Sequence, residues 1–238
     1  MSFQKCPYGF YVHYIQGEEE DNPFLASFGT FAHQIHQLVF SGVLGRKDAG
    51  DYYLEYFNDF VVGSSPSKEV FASYYKGGYS YFKSMPWFPG EIVGIEKEFY
   101  FDVLGHPFHG FADLITREND GLVIYDHKAK ALKPYSGRKK PTKTDLELSE
   151  YARQLYLYAE ATKQSLGEYP KYLVFNCYRV QNFVRLDFDS RNLDETLRWA
   201  DEMIQKIRTF DAWKPDIDYF KCRNLCGLND RCDYYELM

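Results

Sequence analysis

The sequence predicts a mixed α/β fold, a central β-sheet flanked by helices with a helical region ahead of it, on three observations. Apolar residues first recur at helical spacing; three consecutive stretches then alternate and turn as strands do; a long amphipathic helix follows, then two more strands and a last helix.

Each element has its own signal. Residues 27–42, "SFGTFAHQIHQLVFSG", place Phe28, Phe31, Ala32, Ile35, Leu38 and Val39 on one helical face. Residues 48–84 continue as aromatic-rich helical segments broken near "GSSPS", and "MPWFPGE" at 85–91 is rich in chain breakers. Residues 91–104, 107–117 and 121–129 read as strands joined by the tight turns "LGHP" and "REND". "LKPYSGRKKPTK" is a basic loop, and residues 145–164 form an amphipathic helix with Leu148, Tyr151, Ala152, Leu155, Tyr158, Ala159 and Thr162 on one side. "KYLVFNCYR" and "FVRLDFD" are strands around the turn "VQN", and a helix over about 192–209 carries Leu193, Leu197, Ala200, Ile204 and Ile207 in register. The tail from Trp213 is irregular. The expected organisation is a helical region over 1–90, a core over 91–212 and a Cys-rich tail over 213–238 that packs back on the N-terminus.

Composition narrows the function. The 238 residues are 45% hydrophobic and 19% aromatic, enough for a substantial core. No apolar run reaches the roughly 18 residues of a membrane span, and "MSFQKCPYGF" has no signal-peptide pattern, so a soluble, cytoplasmic protein is expected. The net charge of −6 disfavours a pure nucleic-acid binder but leaves room for an enzyme with a local basic channel. Lys128, Lys130, Lys133, Arg138, Lys139, Lys140 and Lys143 follow one another without an acid among them. They are either that channel or a solvated loop.

The stretch "GFADLITRENDGLVIYDHKAKA" carries the chemistry. With the turn centred between Asn119 and Asp120, Asp113 and Asp126 fall opposite each other on adjacent strands, Cβ atoms roughly 4.5–5.5 Å apart. Like charges so placed repel unless a proton or a cation sits between them, and hard oxygens suit Mg²⁺ or Mn²⁺. With the preceding turn centred between Gly105 and His106, Glu98 pairs with Asp113 as a third carboxylate. Lys128, two residues past Asp126, points to the same face, where an ammonium can hold a water or stabilise charge on a phosphate. A surface hairpin with ordinary ion pairs is the competing reading; the apolar run "VIYD" argues for a central strand instead.

These residues resemble the PD-(D/E)XK nuclease superfamily, and its RecB-like branch in particular. "GFAD" matches the strand ending in aspartate, "DHK" the D/E-x-K strand, "QLYLY" the Q-x-x-x-Y helix with Gln154 and Tyr158, and "GTFAH" the G-x-x-x-H helix with Gly29 and His33. The resemblance implies a restriction-endonuclease-like core. It further implies a metal-dependent nuclease in which Asp113, Asp126, His33 and the carbonyl of His127 bind Mg²⁺ or Mn²⁺. Lys128 would assist the attacking water, and Gln154 and Tyr158 would position the strand or the surroundings of the site. His36, three residues past His33, is the alternative ligand.

Cys222, Cys226 and Cys232 form C-x3-C-x5-C, and Cys6 lies at the other end of the chain. Resemblance to the AddB-type and CRISPR-adaptation nucleases implies a [4Fe-4S] cluster on one N-terminal and three C-terminal cysteines, although the first gap of that triplet is usually two residues. Structural Zn²⁺ and plain thiols are the alternatives. Cys177 reads as core. The expected activity is an exonuclease on DNA ends or single strands; without a P-loop in the sequence, it would be a stand-alone nuclease or the partner of a separate helicase or recombination protein. The competing reading is a non-catalytic DNA-binding or structural module on the same fold.

Overall fold

The computed structural model describes residues 3–18, 24–219, 222, 226–228 and 231–237. After a short N-terminal helix, α1 (Pro7–Phe10), and a wide turn over Tyr11–Ile15, come α2 (Phe24–Phe40), α3 (Ala49–Phe60) and α4 (Lys68–Lys83). Strands β1 (Glu91–Val103), β2 (His106–Glu118) and β3 (Gly121–His127) follow, then α5 (Lys143–Leu166), β4 (Tyr172–Cys177), β5 (Asn182–Asp187) and α6 (Ser190–Arg208). The five strands form one sheet in chain order, antiparallel except where β4 lies parallel to β3. The expected central mixed sheet flanked by helices is what forms.

Two apolar layers sandwich the sheet. On one face Ile115, Leu122, Ile124, Leu173, Phe175 and Cys177 meet Leu148, Ala152, Leu155 and Ala159 of α5. On the other, Leu114, Val123, Tyr125 and Val174 meet an aromatic-rich layer from α2, α3 and α4 that includes Phe28, Phe31, Tyr53, Phe57 and Tyr81. Leu122 to His127 are all buried, so β3 is a strand with no solvent face, as its apolar run requires. The helix α5 starts sharply because Thr142 and Asp145 cap each other's backbone N–H groups, and it ends on Gly167 at φ 84°. Asp145 also accepts from the backbone and hydroxyl of Ser136 (2.6 and 2.7 Å), so an acid just beyond the basic loop fastens it. Those bonds, from Thr142 and Ser136, hold its carboxyl well below the usual range.

One register expectation fails. Leu104 (φ 52°) and Gly105 (φ 85°) form a two-residue turn with both central residues left-handed, so Val103, not Leu104, is the last residue of β1 and pairs with His106. The whole ladder slides accordingly, and Glu98 lies opposite Phe111 rather than Asp113. The second turn behaves as expected: Glu118 pairs with Gly121 and Leu114 with Tyr125, where the ladder ends, and the next residues along, Asp113 and Asp126, lie near enough for their charges to act on each other.

The two ends of the chain meet. Tyr8 and Val12 pack with Leu228 and Cys232, and the Tyr8 hydroxyl donates to Asp233 at 2.6 Å. Phe3 packs edge-on against Phe210 and Trp213.

Candidate active site

The candidate site forms where the end of β3 meets the middle of β2, between the two helical layers. From the α5 side comes a chain of polar contacts. Lys128 Nζ donates to Asp126 Oδ1 at 3.0 Å and to Gln154 Oε1 at 3.0 Å, and Gln154 Nε2 reaches the Tyr158 hydroxyl at 3.4 Å. One α-helical turn separates Gln154 from Tyr158, so both side chains point at the same spot on the sheet. Tyr158 can lie there because residue 110 has no side chain: a Cβ on Gly110 would sit 3.0 Å from Tyr158 Cε1.

From the α2 side comes His33, with Nδ1 3.3 Å from Glu96 Oε1 and 3.6 Å from Asp113 Oδ1, and Nε2 3.1 Å from the carbonyl of His127. Glu96 is the residue that sequence reading missed. The slid register puts it beside Asp113, in the place assigned to Glu98, and its backbone sits at φ 44°. A non-glycine residue in that left-handed region inside a strand costs about 1–3 kcal/mol, and such outliers gather at functional sites. Ligand atoms of His33, Glu96 and Asp113 all lie within 4.8 Å of one another, the only such trio among the described residues. Glu98 instead holds His109 and Tyr100 (2.8 and 2.9 Å) on the open face of the hairpin.

Electrostatics mark the crowding. Burial, then the charge of Asp126, raises the Asp113 carboxyl to about 7, against the pull of His33 and of the His127 N–H that donates to Asp113 Oδ2 at 2.6 Å. Burial would lower His33, but the hydrogen bond to Glu96 and the charge of Asp113 outweigh it and raise the imidazole. Lys128 is likewise raised: burial lowers it, and Asp126 more than compensates. Asp126 Oδ2 is buried and makes no hydrogen bond, although Lys128 Nζ straddles the carboxylate and lies 2.9 Å from it. The contact is ionic in distance but lacks hydrogen-bond geometry. The imidazole of His33 with the carboxylates of Glu96 and Asp113, and the Asp126 charge beside them, fit a hard divalent cation.

His36, the alternative ligand, faces away. Its Nδ1 donates to the carbonyl of Ala32 at 2.8 Å, its Nε2 accepts from the Tyr81 hydroxyl at 3.1 Å, and its ring stacks on His127 at 3.9 Å. Asn176 on β4 joins the group, donating to Tyr81 (2.6 Å) and to His127 Nδ1 (3.1 Å). Burial keeps both histidines neutral: His36 falls to about 3 and His127 lies well below its usual value. The result is a rigid support behind the His127 backbone, whose N–H and C=O face the site.

The four terminal cysteines lie in one region of the molecule, but no three of their sulfurs come within 4.8 Å of one another. Cys6, Cys226 and Cys232 share the small apolar cluster at the chain ends. Burial raises the Cys232 thiol, and the neighbouring Cys226, Cys6 and Cys222 add to the rise. Cys6 Sγ accepts from the Gly9 N–H at 3.3 Å. No disulfide joins the five cysteines, and Cys177 is buried in the core.

The comparison with protein families agrees with this geometry. The PD-(D/E)XK nuclease superfamily model matches residues 1–233. A search of curated proteins gives no match. The sheet order, the neighbouring aspartates on β2 and β3 and the lysine two residues on complete the case: the chain belongs to the PD-(D/E)XK nuclease superfamily.

Proposed function

We propose that the protein is a divalent-metal-dependent deoxyribonuclease of the RecB-like kind, acting on DNA as an exonuclease. The observation that carries this reading is the grouping of His33, Glu96 and Asp113, with the charge of Asp126 acting on Asp113 and Lys128 held against Asp126. His33 Nδ1, the carboxylates of Glu96, Asp113 and Asp126, and the carbonyl of His127 are the groups that would hold Mg²⁺ or Mn²⁺. The bound ion supplies charge neutralisation at the phosphate and acidifies a water. The chain does the rest. Asp126 orients the Lys128 ammonium from one side and Gln154 from the other, leaving one N–H for a water or a phosphate oxygen. The His127 N–H fixes Asp113, and the ring stack behind it fixes His127. Lys128 opens the basic stretch to Lys143, whose exposed Arg138, Lys139 and Lys140 would meet phosphates flanking the cut.

The deciding experiment follows end-labelled single- and double-stranded DNA with Mg²⁺, Mn²⁺ and EDTA. Metal-dependent shortening from an end is the expected result. No cleavage with either ion overturns the reading. We further propose action alone or with a helicase or recombination partner, a cytoplasmic location, and a division into a helical region (1–90), a nuclease core (91–212) and a Cys-rich tail (213–238), each on the sequence pattern.

Cys6, Cys222, Cys226 and Cys232 are assigned to one [4Fe-4S] cluster, on the support of their meeting in one region of the molecule from both chain ends. Such a centre closes a loop nearly as long as the chain, which restrains the unfolded state, although the gain grows slowly with length. Protein prepared without oxygen should be brown with absorbance near roughly 400 nm from thiolate-to-iron charge transfer. Colourless protein with stoichiometric zinc favours Zn²⁺, and protein with neither metal leaves plain thiols.

A further inference from the structure

We propose that the exposed face of β1 and β2 is a base-stacking track for an unpaired DNA strand, running from the metal cleft through Phe111 and His109 to Tyr100. The inference rests on the nuclease reading of the same site and names the form of its substrate.

The register builds the track. Tyr100 pairs with His109 and Glu98 with Phe111, and directly paired residues share a sheet face. The helices that cover the neighbouring sheet leave this part open: Tyr100 is 75% exposed and Phe111 45%, both high for large aromatic side chains in a sheet. The rings are ordered. Tyr100 stacks on His109 at 4.4 Å with planes 19° apart, and His109 meets Phe111 edge-on at 5.1 Å. Glu98 fixes both ends of the pair through His109 Nε2 and the Tyr100 hydroxyl.

The track runs into the reaction site. Phe111 lines one cleft with His33 and Glu96, and it lies two residues before Asp113 on β2. Same-face residues on a strand are roughly 6.8 Å apart, so Phe111 and His109 are successive steps leading away from the proposed ion. The opposite wall of the cleft, from α2, offers Gly29, Thr30, Gln34 and Gln37. These are uncharged groups that can hydrogen-bond a sugar-phosphate backbone without repelling it.

The chemistry selects the ligand. A ring face offered to water binds another π face, and every nucleobase has one. In a duplex the base faces are covered by their neighbours in the stack, so only an unpaired strand can use Phe111, His109 and Tyr100 together. An apolar protein surface is a poorer fit, because covering the strip would also strip water from the Glu98 carboxylate at its centre, which is 47% exposed. A base lying on the rings leaves that carboxylate in water.

The test measures binding apart from turnover. Fluorescence anisotropy of the full chain with labelled oligothymidylate and with a blunt duplex, in Ca²⁺, gives both affinities; hydrolysis in Mg²⁺ or Mn²⁺ is followed separately. Tyr100→Ala is expected to weaken the single strand about fivefold or more and the duplex less than twofold, with Tyr100→Trp restoring the loss. His109→Ala should act in the same direction. Trp87→Ala removes an aromatic side chain of similar exposure (74%) outside the strip, and should change neither affinity. Equal effects of Tyr100→Ala on both DNAs, no effect on either, or an equal loss in Trp87→Ala overturns the track. A chain that binds single strands through Tyr100 but cleaves no DNA leaves the track standing and overturns the nuclease reading. A chain that cleaves DNA while Tyr100→Ala binds as tightly as wild type overturns the track alone.

Discussion

Gly110 on β2 makes room for Tyr158 on α5: a Cβ added there would come within 3.0 Å of the ring. The glycine of "GFAD" and the tyrosine of "QLYLY" are thus one device. Tyr158 backs Gln154, and Gln154 backs Lys128. Gly110→Ala should push the tyrosine and slacken the ammonium, lowering kcat about tenfold, the worth of one hydrogen bond of roughly 1 kcal/mol or a little more. Gln154→Ala should do the same. Because both act through Lys128, the double variant should lose little more than either alone in single-turnover assays. Full additivity would mean that the two residues act separately.

Removing charge from the crowded carboxylates should stabilise the metal-free protein. Asp113→Asn keeps an acceptor for the His127 N–H and ends the repulsion that raises the Asp113 carboxyl. Thermal melts in EDTA at neutral pH should show an unchanged or higher Tm, while metal-dependent cleavage falls below detection. Asp126→Ala should also abolish cleavage. Lys128→Ala should leave the metal titration midpoint close to wild type and lower the maximal rate about a hundredfold, as expected for a group that acts on the water or the phosphate.

Glu96 offers a test that separates strain from ligation. Its φ of 44° suits glycine, so Glu96→Gly should release backbone strain and raise the unfolding free energy of the metal-free protein by about 1 kcal/mol. The same change removes a carboxylate from His33 and Asp113 and should weaken metal binding at least tenfold, read by calorimetric titration. A stabilised variant with wild-type metal affinity would show that the strain serves something other than the ion.

The sequence carried the helices and strands because each element has its own periodicity, and β2 with β3 fell into register because "REND" places its two turn residues unambiguously. Asp113, Asp126 and Lys128 were legible for that reason. Glu96 was not. Its position depends on whether the β1–β2 turn is Leu104–Gly105 or Gly105–His106, a choice decided by left-handed torsions that leucine rarely takes. The stack of His36 on His127 was equally hidden, because it joins α2 to β3 across a distance that no local pattern encodes.

That stack gives the last prediction. His36 is buried, and burial with the nearby His33 charge lowers its folded pKa to about 3, below the unfolded value near 6.5. The unfolded chain therefore binds the proton first. The His36 contribution to stability is complete above about pH 6.5 and is lost as pH falls toward the folded value, at up to about 1.4 kcal/mol per pH unit. Asp113 and His33 titrate in overlapping ranges with the opposite sign, so the wild-type profile alone is ambiguous. The comparison with His36→Gln isolates the term, since glutamine keeps a donor and an acceptor but does not titrate. Urea unfolding at pH 7.5 and 4.5 should show the wild type losing about 3 kcal/mol more than the variant over that interval. Parallel profiles would mean that His36 stays neutral in both states or is protonated in both. The stack could not then be the dry, uncharged support on which the His127 backbone rests.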